Sequence, residues 1–449
     1  MGLIKIISSA EFTANPEFFL AGAQGEKEQA EANAAVNEII DAVRREGDAA
    51  VRRYAARFEK EVPQKFEVPP EAAKAAWEKL SSAEPGLAAA LSLAADHIRR
   101  FAELQKEQFR DFEAELEPGL FTGQRVIPVE KAAIYVPAGR FPLVSSALMG
   151  LIPAAVAGVG EKILVSPPRE GGLPDQRILA AGHLAGADRV FALGGAPAIA
   201  ALAFGTETVV KADLIAGPGN RYVTAAKRLL FGEVGIDFAA GPTDVLIITD
   251  LAADGAIEAE KAADLAAADM LAQAEHDPDA RARALVPDRE TAEQIEKALE
   301  KRLTALAAGN ADTARSSLKA GGLIIIYTSK KEAVDIANSI APEHLELFSP
   351  SPAEWAGLRN YGSLFIGRTA AEVLGDYSAG INHTLPTSGS ARFTGGLSVR
   401  NFLKTVTTLR CAPGKAYDEA LAAAKTIAQA EGLAGHAASA ASRMGTKEQ

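Results

Sequence analysis

The stretch "AAIYVPAGRFPLVSSALMGLIPAAVAGVGEKILVS", residues 132–166, decides the fold class. It opens and closes on short apolar runs, and between them lies the longest apolar segment of the chain, 142–160. Ser145, Ser146 and Pro153 interrupt that segment and small residues fill it, so it predicts a buried helix rather than a membrane span. Two near-continuous apolar strands flanking a helix argue for a parallel sheet covered by helices.

The alternation continues outward with "RVFAL" (189–193), "ADLIA" (212–216), "DVLIITD" (244–250), "GLIIIYT" (322–328) and "SLFIG" (363–367), most of them separated by helical pattern. The runs form two sets split near 245–250, which predicts two consecutive α/β domains, 126–245 and 246–385. Residues 26–115 show three long amphipathic runs and no convincing strand, so 1–125 is read as a helical N-terminal arm. After about 385 the strands are expected to stop. "AYDEALAAAKTIAQAEGLAGHAASAASR" (416–443) gives a helix, a break at Gly432 and a second helical stretch, within a tail spanning 386–449.

The chain has 449 residues, 48% hydrophobic, enough for two or three cores. A net charge of −11 leaves no basic face for nucleic acid or an anionic bilayer. Cys411 is the single cysteine, which excludes an intramolecular disulfide and a thiolate zinc cage. "MGLIKIISSAEF" lacks the features of a signal peptide, so a cytoplasmic location is expected.

Six histidines can be weighed individually. His97 and His183 lie inside amphipathic helices and read as structural or exposed. Gln273 and His276 in "AQAEHDP" (272–278) stand three apart at a helix end and could converge on one ion; alternatively His276 complements the helix dipole. "APEHLEL" (341–347) places Glu343 beside His344 after Pro342: on an extended segment they could serve one pocket as water activator and proton shuttle, and otherwise they begin a helix. "GDYSAGINHTLPTSG" (375–389) is a polar, glycine-shaped loop in which Asp376 is a credible metal ligand and His383 a substrate contact, or both cap backbone amides. "IAGPGNRYVTAAKR" (215–228) offers a glycine turn and Asn220 as helix N-cap, a plausible phosphate seat that lacks the full dinucleotide fingerprint. Glu431 and His436 flank the Gly432 break and belong either to a surface tail or to one reaching a neighbouring subunit.

Taken in order, "YVPAGRFPLVSSALM", "GGAPAIAALAFGTE", "GPGNRYV", "GIDFAAGPTDVL", "DMLAQAEHDPDA", "APEHLEL", "GDYSAGINHTLPTSGSARF" and "EGLAGH" resemble the histidinol dehydrogenase family over essentially the whole chain. The resemblance implies a zinc-dependent, NAD-linked homodimer that oxidises L-histidinol to L-histidine through the aldehyde in two hydride transfers. It further implies two incomplete Rossmann-like parallel-sheet domains and a C-terminal tail exchanged between subunits. By the same resemblance, Gln273, His276, Asp376 and His436 from the partner chain would hold zinc. Glu343 and His344 would be the acid/base pair. Substrate would be met by Thr243, His344, His383, Glu431 and the four metal ligands, and NAD by Tyr135 and Asn220. Three positions depart from the family pattern: Pro197 replaces a cofactor-contacting glutamine, Ala138 replaces a glycine, and Thr243-Asp244 replaces Ser-Glu. "GPTDVL" and "NHTLPT" are also similar to paralogues such as sulfopropanediol dehydrogenase, which makes oxidation of another polar alcohol the alternative; a zinc hydrolase and a non-catalytic binding protein are more remote.

Overall fold

The computed structural model describes residues 2–20, 26–138, 142–239, 241–250 and 256–444. The quoted stretch forms strand Lys131–Tyr135, helix Val144–Ala157 and strand Glu161–Ser166, the two strands pairing in parallel. They sit in a five-stranded parallel sheet in the order Arg189–Ala192, Glu161–Ser166, Lys131–Tyr135, Leu214–Ala216, Gly235–Ile236. Alternation along these strands sends Ile134 and Leu164 into one core and Tyr135, Ile163 and Val165 into another, so both faces are buried. Gly150 lets the buried helix close on the sheet, because a Cβ there would lie 2.3 Å from Ile134 Cγ2.

The second sheet is also all parallel, in the order Lys5–Ser8, Leu323–Ile326, Arg281–Val286, Asp244–Thr249, His344–Phe348, Ser363–Ile366. Setting aside its N-terminal edge strand, the chain order across this sheet is 3-2-1-4-5, the same as across the first. This α/β architecture of two half-Rossmann sheets is the expected fold class. In each sheet the order reverses between two central strands, and the crevice outside their carboxyl ends is where such sheets receive ligands.

Several sequence expectations need correction. Lys5–Ser8, placed in a helical arm, is a strand of the second sheet; four residues are too few to show a period. The division between the sheets falls before Asp244, not inside strand Asp244–Thr249. The helices of the arm do not stand apart: Val36, Ile39 and Val51 pack on one face of the first sheet, and Leu80, Leu91 and Ile98 on the other. Strands also continue past residue 385. Leu403–Cys411 pairs antiparallel with Leu120–Pro128, which pairs with Phe112–Glu117, in a separate three-stranded sheet. Most of its residues are exposed within one chain, so it carries no buried face that a sequence pattern could report. Beyond it, helices Lys415–Ala430 and Ala434–Ala441 pack on each other, separated by Gly432 at φ 76°.

At the carboxyl ends of the second sheet's two central strands lies a hydrogen-bonded lock. Trp355 Nε1 donates to Ser349 Oγ (3.2 Å) and to Asp250 Oδ2 (3.3 Å), Lys330 Nζ lies 2.8 Å from Asp250 Oδ2, and Tyr327 Oη donates to the Thr249 carbonyl at 2.9 Å. The carboxylate and imidazole residues of this half gather elsewhere.

Candidate functional site

That place is the opposite edge of the second sheet. Helix Lys330–Ile340 ends at Ala341 in the left-handed region (φ 49°), and after Pro342 the chain enters strand His344–Phe348. Glu343 and His344 are thus at a strand start, not a helix start, and both are buried. Thr243 and Asp244 enter the neighbouring strand at the same level, since His344 is in register with Val245. Helix Ala256–Ala274 runs back to this edge with Gln273 buried in its last turn, while His276 lies two residues past its end and is exposed at the rim.

All of these groups except Asp244 line one cavity of about 180 Å³ with Asp376 and His383. Its other wall comes from the first half: Ser145 and Ser146 at the start of the buried helix, and Pro218 and Gly219 after strand Leu214–Ala216. Seven of the expected residues therefore converge: Thr243, Gln273, His276, Glu343, His344, Asp376 and His383. Tyr135 and Asn220 instead line a cavity of about 740 Å³ at the carboxyl edge of the first sheet, and Glu431 and His436 line a groove between the two tail helices.

Glu343 is clamped from both sides by Asp244, whose backbone N–H donates to Glu343 Oε2 (3.0 Å) and whose Oδ1 accepts from the Glu343 N–H (3.0 Å). Thr243 Oγ1 lies 2.5 Å from the same Oε2. Burial pushes the Glu343 carboxyl up to about 7, outweighing the charge of His344 and the hydrogen bond from Thr243, so it titrates where a base must work. For His344, burial opposes protonation, but the carboxylates of Glu372, Glu343 and Asp376 prevail and hold its pKa well above the ordinary value. Its Nε2 is buried 3.4 Å from Asp376 Oδ1, close enough for charge attraction but out of line for a hydrogen bond. His383 Nδ1 donates to the Asp376 carbonyl (2.8 Å) and its Nε2 shares a hydrogen bond with Ser146 Oγ (3.1 Å), which ties the loop to the buried helix; burial lowers its pKa.

When Gln273 Nε2 donates to Glu372 Oε1 (2.7 Å), its Oε1 faces the Asp244 N–H (3.1 Å) and lies 2.5 Å from Thr243 Oγ1, whose single proton goes either to it or to Glu343 Oε2. Glu372, Asp244 and Ser146 escaped the sequence reading as site residues. Glu372 stands four residues before Asp376, a spacing that stacks two carboxylates on one helical face, and that was the available signal. Behind Glu372 lies Glu346, whose Oε1 accepts from the Glu372 N–H at 2.8 Å.

This buried acid group carries a pH prediction. Burial raises Glu343 to about 7, Glu372 to about 8 and Glu346 to about 9. The folded protein keeps protons that the unfolded chain releases near the ordinary 4.5, so this contribution to stability is complete below about 4.5 and is lost progressively from there until pH has passed the folded values of about 7, 8 and 9. The melting temperature should fall across that interval and fall less in Glu346→Gln, whose amide stays neutral. Parallel curves for the two proteins would exclude Glu346 as a contributor.

The cavity of Tyr135 and Asn220 lies at the point where strand order reverses in the first sheet. Gly217, at φ 112°, lets the chain turn against Tyr135, whose carbonyl oxygen a Cβ would meet at 2.2 Å. The turn is fixed from beneath: Asp237 Oδ2 accepts from the Gly217 N–H (2.8 Å), Lys227 Nζ donates to the Gly217 carbonyl (3.0 Å), and Lys227 pairs with Asp237 out of solvent. Asn220 Oδ1 caps the following helix at the N–H groups of Tyr222 and Val223, 3.0 and 3.1 Å away, while Tyr135 Oη accepts from the Gly195 N–H at 3.1 Å. Pro218 and Gly219 face the carboxylate–imidazole cavity and Asn220 faces the larger one, so a single turn separates the two.

Residues 23–444 match the histidinol dehydrogenase family. The chain belongs to that family. It is 45% identical to a histidinol dehydrogenase of Thermus thermophilus over 90% of this chain and 92% of that one. It is 42% identical to a histidinol dehydrogenase homolog of Ruegeria pomeroyi over 93% of each. The crystal structure of histidinol dehydrogenase from Elizabethkingia anophelis superimposes with a TM-score of 0.88, at 31% identity, covering 99% of this chain and 98% of that one. The chain is accordingly an oxidoreductase of the histidinol dehydrogenase type. Among the described residues no helix is long and apolar enough to cross a membrane.

Proposed function

We propose that this protein oxidises L-histidinol to L-histidine through the aldehyde, using NAD as hydride acceptor and zinc as resident metal. The observation that carries this reading is the shared turn 217–220, with a cavity large enough for a nucleotide on one side and a carboxylate–imidazole pocket on the other. Pro197 lines the larger cavity and offers no side-chain donor, so Tyr135 and Asn220 are assigned the polar contacts to the cofactor.

Gln273, His276 and Asp376 fit a zinc site in chemistry: one nitrogen and two oxygen donors, converging on one pocket that stays open to substrate. A fourth donor is assigned to the partner subunit. His436, on a tail whose helices pack on each other, is that donor in a homodimer with shared sites, and Glu431 would reach the same substrate. Zinc bound here would supply a Lewis acid for the substrate oxygen. Asp376 and Glu343 give the pocket the negative charge that suits a cationic amino alcohol.

In this scheme the neutral form of His344 takes the hydroxyl proton at Nε2 as hydride leaves; the carboxylates that raise its pKa stabilise the imidazolium formed, so turnover should rise with pH as the resting imidazolium gives up its proton. Glu343, poised near neutrality and held by Asp244, draws a proton from the water that hydrates the aldehyde, which prepares the second hydride transfer. Incubating zinc-loaded protein with L-histidinol and NAD should form two NADH per substrate. Turnover with sulfopropanediol alone would move the assignment to the paralogue, and ester or amide cleavage without NAD would make the protein a hydrolase. Mixed dimers of His276→Ala and His436→Ala chains, each inactive alone, should regain activity, since one of their two sites then lacks neither ligand. No recovery in verified mixed dimers would place the whole site within one chain.

A further inference from the structure

We propose that a second cavity, on the far side of Asp244 from the catalytic pocket, is a binding site for a phosphate group. It measures about 310 Å³ and is lined by three arginines, Arg281, Arg283 and Arg392. Strand Arg281–Val286 supplies the first two, which are two residues apart and therefore share a face. Arg283 is only 2% exposed; its Nη1 lies 3.7 Å from Asp244 Oδ2 and its Nη2 donates to the Phe19 carbonyl at 3.3 Å. Arg281 Nη1 donates to the Leu20 carbonyl (2.7 Å), and Asp279 acts on it from outside the cavity. Arg392 arrives from a different part of the chain and is anchored through Nη2 to the Ser339 carbonyl.

Against these three cations, Asp244 is the single acidic side chain among the described lining residues, and its Oδ1 is already committed to the Glu343 N–H on the catalytic side. Burial, reinforced by the positive charge of Arg281, presses the Arg283 pKa down to about 10 despite Asp244, a strain expected where one buried guanidinium stands beside a second that is half-buried. An anion relieves that strain. Guanidinium forks directed into one space from two segments match the oxygens of a phosphate, which can accept from several forks at once. The cavity is distinct from the catalytic pocket: Gly241 lines both, but Thr243, Glu343 and His344 line only the latter.

The test is calorimetric titration of the purified full-length enzyme with inorganic phosphate in phosphate-free buffer, with and without saturating NAD. One phosphate per chain is expected, undisturbed by NAD. Affinity should weaken at least about tenfold in Arg392→Gln and in Arg281→Gln, each of which removes charge-assisted hydrogen bonds. Arg392 is exposed, so its variant keeps the fold, and circular dichroism verifies both. Three results would overturn the assignment: no saturable uptake in the millimolar range, unchanged affinity in both variants, or displacement by NAD, which would put the phosphate in the cofactor cavity instead.

Discussion

His344→Ala should lower kcat by roughly 10²–10⁴-fold while leaving bound zinc in place. The imidazole is buried at the start of a strand and sits among Glu343, Asp376 and Glu372, none of which can replace it at the position of Nε2. His276→Ala should behave differently, losing metal and activity together, because His276 sits at the open rim where a cation would enter and is assigned as one of its donors. Metal content by atomic emission, read beside steady-state rates, separates the two roles. Normal turnover by the His344 variant would remove it from proton transfer.

The second large effect is on stability. Lys227→Met should destabilise the fold by about 3–5 kcal/mol, because it strands the Asp237 carboxylate without its buried partner. Two hydrogen bonds that fix Gly217 depend on this pair, so affinity for NAD should fall as well. Adding Asp237→Asn should recover part of the loss, since no uncompensated charge then remains buried. Urea unfolding of both variants measures this, and a loss below about 1 kcal/mol would mean that the pair contributes no more than an exposed one.

What the sequence disclosed depended on whether a residue's role was local. Apolar runs such as "AAIYV" and "DVLIITD" announced their strands because both faces of each sheet are covered. Leu403–Cys411 gave no such sign, since Leu409 is 68% exposed within one chain. Strand His344–Phe348 was hidden by Pro342 and Glu343, which read equally well as a helix start until the left-handed Ala341 is seen to end the preceding helix. At the site, residues in compact polar motifs, His276, Asp376 and His383 among them, were legible. Ser146 and Glu372 were not, because each acquires its role through a partner far away in the chain: His383 for one, Gln273 for the other. The Lys227–Asp237 pair was invisible for the same reason, a lysine in an ordinary helical run that is buried only because a turn needs holding.

The lock made by Trp355, Asp250 and Lys330 has a consequence for stoichiometry. Two halves laid out on one plan would otherwise present a dinucleotide with two equivalent berths, one of them a decoy remote from the reacting carbon. If NAD is the cofactor, as proposed, these tied side chains at the second berth lead us to expect one cofactor to one chain, with occupancy and turnover rising together.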